Sequence, residues 1–168
     1  MSDLHISWDK YHQSIESLAE QISRSQWEFD QIICIARGGL RVGDILSRIF
    51  QQPLAVLAAS SYGGEQQQER GKLLIASQIT MTGDRLGSRI LLVDDLVDSG
   101  VTLQQTIGWL KDRYPEIREL KTAVIWYKSC SIYAPDYHVS YLTDQPWIHQ
   151  PFEQYDNYKL STADRNCP

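Results

Sequence analysis

Ile90-Leu91-Leu92-Val93-Asp94-Asp95-Leu96-Val97-Asp98-Ser99-Gly100-Val101-Thr102-Leu103 decides how this chain is read. Four consecutive apolar residues with β-branched side chains at both ends suit a strand covered on both faces, as in the interior of a parallel sheet. The run empties into three carboxylates, Asp94, Asp95 and Asp98. Ser99, Gly100 and Thr102 follow, and Leu103, Ile107 and Leu110 then take up helical spacing until Pro115 closes it. Carboxylates this close repel one another unless a cation offsets them. A hard, oxygen-seeking ion such as Mg2+ does so while bridging substrate phosphates. Adjacent strand residues face opposite sides, so Asp94 and Asp95 are expected to have different roles unless the chain turns there. Hydroxyls and free amides at the start of a helix form a phosphate cradle. The plainer alternative is a solvated acidic turn with a Ser or Asp cap.

Outward from this stretch, Ile32-Ile33-Cys34-Ile35-Ala36 is a second short apolar run, and it stops at Arg37-Gly38-Gly39. Two glycines there would let successive amides turn inward as an anion nest beside the Arg37 cation, or would simply punctuate a strand-to-helix turn. Val42, Ile45, Leu46 and Ile49 follow at helical spacing. Tyr11, Ile15, Leu18, Ala19 and Ile22 mark an earlier amphipathic helix that Ser7 or Asp9 would cap. Leu54 to Ala59, Leu120 to Tyr127 and Tyr137 to Leu142 are strand-like, and a polar loop separates Tyr62 from Leu73. Leu73 to Thr80 and Ser88 to Val93 flank Gly83-Asp84-Arg85 and are expected to pair as an antiparallel hairpin. Strands alternating with helices predict an α/β fold with a mostly parallel, twisted sheet flanked by helices.

The 168 residues, 42% hydrophobic and 22% charged, suit one globular domain. With 16 basic against 21 acidic residues the formal charge is -5, which argues against a nucleic-acid partner held through many phosphates. Cys34, Cys130 and Cys167 lie far apart, without disulfide or zinc spacing. No apolar stretch approaches the ~20 residues of a membrane span, and Met1 to His5 carries no export signal. A cytoplasmic protein is expected. His138 and His149 have no partner at metal-ligand spacing and receive no role. Neither a Walker-type nor a dinucleotide-binding glycine motif occurs, which disfavours P-loop and Rossmann enzymes.

The stretch from Ile90 to Leu103 resembles the phosphoribosyl-pyrophosphate signature of type I phosphoribosyltransferases. Ile35-Ala36-Arg37-Gly38-Gly39-Leu40 is similar to that family's pyrophosphate loop, and Ser60-Ser61-Tyr62 to the start of its flexible lid. Pro146-Trp147-Ile148-His149-Gln150-Pro151-Phe152 resembles the segment that closes the purine pocket in bacterial xanthine-guanine phosphoribosyltransferases. The resemblance runs from about Ser7 to Phe152. It implies a small hood, a lid loop at about 61–89 within one domain over 1–152, and a tail, 153–168, without an assigned role.

Carried over by residue, the resemblance implies that Asp94 and Asp95 hold the ribose hydroxyls and Mg2+. Asp98, Ser99, Gly100, Val101 and Thr102 would receive the 5-phosphate, Leu96 and Val97 would belong to the same phosphoribosyl-pyrophosphate site, and Arg37 and Gly38 would hold the pyrophosphate. Ser61, Tyr62 and Arg70 would come down with the lid. Asp98 would face purine N7 as hydrogen-bond partner or base, Lys128 would donate to the 6-oxo group, Trp147 would stack on the ring, and the Ile148 backbone would meet the 2-position. Asp98, Arg37 and Arg70 are thus the expected catalytic residues. Ser99 stands where threonine is more usual, and Ser129-Cys130 where a proline is common. The implied reaction transfers phosphoribosyl from 5-phosphoribosyl-1-pyrophosphate to guanine, xanthine or hypoxanthine. The expected partners are these small molecules and further copies of the chain in a dimer or tetramer. The alternatives are a non-catalytic sensor of phosphoribosyl pyrophosphate and a transferase for another base.

Overall fold

The computed structural model describes residues 3–61 and 73–159. The order is β1 (Leu4–His5), α1 (Trp8–Arg24), β2 (Gln31–Ala36), α2 (Leu40–Phe50), β3 (Leu54–Ser61), β4 (Leu73–Ile75), β5 (Arg89–Val93), β6 (Leu96–Val97), α3 (Val101–Arg113), β7 (Glu119–Lys128), β8 (Tyr137–Leu142) and β9 (Ile148–His149). β5 and β6 lie on one line along the same edge of β7. Arg89 faces Glu119 and Val97 faces Tyr127 in one register, with Asp94 and Asp95 as the interruption. The main sheet runs β4-β3-β2-β5-β7-β8, and every pair in it is parallel except β3 with β4.

Alternation along the strands divides the core between two faces. Ile32, Cys34, Leu91 and Val93 pack against Tyr11, Ile15, Leu18, Val42 and Leu46 of α1 and α2. Ile33, Ile35, Ile90 and Leu92 pack with Leu103 and Leu110 of α3. This is the three-layer arrangement that apolar parallel strands require. Ser7 caps α1, its hydroxyl accepting from the Lys10 amide at 3.2 Å. Cys34 is fully buried, and burial pushes its thiol up to about 11, so it packs and does not react.

The alternation slips at the acidic pair. Val93 and Leu96 send side chains to the same face, and across from them Ile125 and Trp126 do the same. The Ile125 and Trp126 amides both donate to the Asp95 carbonyl, at 3.0 and 3.1 Å. Such local slips are common where a sheet aims side chains at a ligand.

The expected hairpin between Leu73–Thr80 and Ser88–Val93 does not form. β4 runs back along β3 with Ala59 opposite Ile75, and Thr80 bridges to Val56. The reason is burial: Ile90 to Val93 are wholly inaccessible and lie between β2 and β7, whereas β4 is a short, partly exposed edge. A second small sheet, β1 with β9, joins residues far apart in sequence, and two-residue strands leave no periodicity to read.

Candidate functional site

β3 lies on one side of β2 and β5 on the other, so the strand order reverses between β2 and β5. Crevices at the carboxyl ends of such strands are where α/β sheets bind ligands. Arg37 and Gly38 leave β2 at this point through a cis Ala36–Arg37 peptide bond, and Asp94 and Asp95 leave β5. Gly38 is required by close approach: a Cβ there would lie 2.6 Å from Asp95 Cγ and 2.7 Å from Asp95 Oδ2. The expected glycine nest takes a different form. Gly39 has ordinary right-handed angles (φ -72°, ψ -9°), and Gly100 is the one described glycine with positive φ. The Gly38-Gly39 pair therefore makes room for the aspartates and does not curl its amides through left-handed geometry.

Asp95 is buried and accepts a 2.5 Å hydrogen bond from Gln150 Nε2, and its own amide donates to Asp94 Oδ1 at 2.9 Å. Burial, and then the Asp95 charge, push the Asp94 carboxyl well above its ordinary value. Among the described residues no lysine or arginine forms an ion pair with Asp94 or Asp95. Two adjacent carboxylates are a donor set suited to a hard divalent cation such as Mg2+.

Beyond the pair, Asp94 to Gly100 and Thr102 line a cavity of about 150 Å3 at the start of α3. Gly100 closes the loop with φ +81°, and a Cβ there would meet the Tyr133 amide at 2.8 Å. The loop after β7 supports this turn, because the Ile132 amide donates to the Ser99 carbonyl at 2.9 Å. Val101 and Thr102 form the first turn of α3, so their amides are among those a helix leaves without internal partners.

Lys128, at the end of β7, is only 6% exposed, and its Nζ lies 3.3 Å from Asp98 Oδ1. Its reach to Asp98 brings the two expected purine-contacting side chains together at the rim of the cradle. In the β1–β9 ladder the Leu4 amide donates to the Trp147 carbonyl at 2.8 Å and the Ile6 amide to the His149 carbonyl at 3.0 Å. Carbonyls alternate along a strand, so the Ile148 carbonyl points away from β1, and among the described residues no backbone amide donates to it. Ile148 is buried, whereas the Trp147 indole is 64% exposed and is not core. Arg37 is also exposed, and its guanidinium lies 3.9 Å from Asp156. Ser61 ends β3; Tyr62 and Arg70 lie outside the described residues.

Three contributors escaped the sequence reading. Gln150 anchors Asp95, Arg41 stacks over the Phe152 ring at 4.2 Å, and Asp156, from the tail without an assigned role, stands beside Arg37. Gln150 carried a signal, as a polar residue inside the quoted Pro146 to Phe152 segment. Arg41 and Asp156 carried none that local pattern could reveal.

The phosphoribosyl transferase domain pattern matches residues 7–157. A xanthine-guanine phosphoribosyltransferase from Idiomarina loihiensis is 29% identical over 93% of this chain and 90% of its own length. The crystal structure of a purine phosphoribosyltransferase from Pyrococcus horikoshii superposes with a TM-score of 0.75 at 30% identity, covering 96% of this chain and all of that one. The Helicobacter pylori xanthine-guanine-hypoxanthine phosphoribosyltransferase superposes with a TM-score of 0.70 at 25% identity, over 90% and 93% of the two chains. Sheet order, the acidic pair at the switch point and these matches agree: the chain belongs to the phosphoribosyltransferase family.

Proposed function

We propose that this protein transfers the phosphoribosyl group of 5-phosphoribosyl-1-pyrophosphate to a 6-oxopurine (guanine, xanthine or hypoxanthine), releasing pyrophosphate and forming the nucleoside monophosphate. The observation that carries this reading is the buried Lys128 ammonium held 3.3 Å from Asp98 at the rim of the phosphate cradle. A desolvated cation beside a carboxylate matches the acceptor and donor edges of a 6-oxopurine, whose O6 would take the Lys128 proton donor and whose N7 side would face Asp98. The curated relatives named for xanthine and guanine support the same substrate class.

A purine nitrogen forms a bond to C1 of the sugar as the C1–O bond to pyrophosphate breaks, through a transition state with positive charge on the sugar. The purine proton passes to, or is shared with, the Asp98 carboxylate. The amides at the start of α3 and the Ser99 and Thr102 hydroxyls hold the 5-phosphate, and Asp94 and Asp95 hold the ribose hydroxyls. Arg37, exposed and loosely paired with Asp156, turns toward the pyrophosphate beside the Gly38 amide. Asp94 and Asp95 would hold Mg2+, which would supply positive charge against the negative charge that grows on the leaving group. Trp147 stacks on the base and the Ile148 carbonyl meets its 2-position. The expected lid at about 61–89 is too long, because Leu86 is buried, Asp30 fastens Ser88 and Arg89, and Arg89 already opens β5. The part with Ser61, Tyr62 and Arg70 keeps the role of excluding water from the sugar cation. A cytoplasmic homo-oligomer is part of the same reading.

Replacing Asp98 with Ala tests the assignment. Turnover should fall by about 10²- to 10⁴-fold while phosphoribosyl pyrophosphate still binds. Near-normal turnover in that variant would remove Asp98 from the mechanism.

A further inference from the structure

The β1–β9 clasp sets His5 directly opposite His149. Paired residues of a parallel ladder send side chains to the same face, and Asp3, two residues before His5, shares it. The imidazoles stack with centroids 4.3 Å apart and planes 7° apart. Asp3 Oδ2 lies 3.2 Å from His149 Nε2, and one ligand atom from each of Asp3, His5 and His149 lies within 4.8 Å of the other two. On the other side of the same ring, His149 Nδ1 is 4.0 Å from Glu153 Oε2. The clasp borders a cavity of about 510 Å3 whose lining, among the described residues, includes Glu153 and Asp156 and no lysine or arginine.

We propose that Asp3, His5 and His149 form a binding site for a divalent transition metal of the zinc class. Two imidazole nitrogens and one carboxylate oxygen are the donor set of such ions, and Mg2+ prefers oxygen alone. Ligand atoms ~2.1 Å from a tetrahedral ion are roughly 3.4 Å apart. The exposed Asp3 and His5 side chains close by about an ångström to reach that spacing, and the stacked rings fan apart around the ion. Glu153 then accepts from the remaining ring N–H of His149, the outer-shell carboxylate that fixes a ligating imidazole. The acidic lining of the cavity favours a cation there. Sequence spacing hid this site, because its two histidines are brought together only by strand pairing.

The test is calorimetric titration of Zn2+ into untagged full-length protein, with Mg2+ in excess to occupy the Asp94–Asp95 pair. Wild type should take up one Zn2+ per chain, and Co2+ in its place should give visible absorption bands. His5→Gln and Asp3→Asn should each weaken Zn2+ uptake by at least about tenfold. Both should keep the metal-free Tm of wild type, and Zn2+ should raise Tm in wild type alone. Absence of uptake by wild type would overturn the proposal. So would uptake of equal affinity in wild type and both variants, since the ion would then sit elsewhere, as at Cys130, whose Sγ lies 3.7 Å from Asp98 Oδ1.

Discussion

Lys128 is almost withdrawn from water, and a buried ammonium is tolerable only with an anion in reach, which Asp98 supplies at 3.3 Å. Replacing Lys128 with Met should raise KM for the 6-oxopurine by about 10- to 100-fold, the loss of a hydrogen bond to a charged donor, and change kcat less. An unchanged base KM in steady-state kinetics would exclude Lys128 from the base pocket. Gly38→Ala tests the close approach, because the added carbon would lie 2.6 Å from Asp95 Cγ. Calorimetry should find affinity for phosphoribosyl pyrophosphate with Mg2+ reduced at least about tenfold, with circular dichroism unchanged. The acidic pair could be read from the sequence because all its members are neighbours. The bond from Gln150 to Asp95 could not, because the two lie 55 residues apart. The Gly38-Gly39 pair does mark a strand-to-helix turn, and the close approach that its missing side chains permit is what sequence alone does not show.

At the scale of elements, the strand that delivers the aspartates depends on complete burial. Leu92 is inaccessible within the α3-side core, and Leu92→Ala should cost about 2–5 kcal/mol in urea unfolding. Asp30 fastens the start of β5 beside β2. Burial alone would raise its carboxyl, but the Arg89 and Ser88 amides and the Ser88 hydroxyl donate to it and hold it below its ordinary value. A lowered folded-state pKa stabilises above the unfolded value, and the contribution disappears as pH falls through the folded one. The stability gap between wild type and Asp30→Ala should therefore be full at neutral pH and close as acid takes pH below the ordinary carboxylate value of 3.8. A gap that is constant with pH would contradict the assigned bonds. The long apolar runs and the α1 stripe announced these elements, because burial on one or two faces leaves a period. β1, β6 and β9 are too short to leave one, and the partner of β4 was misread because edge pairing depends on what the interior strands leave exposed.

Across the whole molecule, Arg37 and Gly38 leave β2 beside the Asp94 to Thr102 turn, Lys128 reaches Asp98, Gln150 reaches Asp95, and Asp156 reaches Arg37. The first two groups follow strands adjacent at the switch point, and Gln150 and Asp156 come with the clasp that β9 makes with β1. Among the described residues no helix is long and apolar enough to cross a membrane. The family could be recognised in the sequence because its phosphate-binding segments are continuous. The assembly of the far wall could not, because it depends on a pairing between residues 4–5 and 148–149. The most direct measurement is nucleotide formation from phosphoribosyl pyrophosphate, Mg2+ and each of guanine, xanthine and hypoxanthine in turn, with adenine and uracil as controls, followed by absorbance and chromatography. Turnover of one or more 6-oxopurines, with little of either control, is the predicted result. Magnesium-dependent binding of phosphoribosyl pyrophosphate without turnover of any base would contradict it and mark the protein as a sensor.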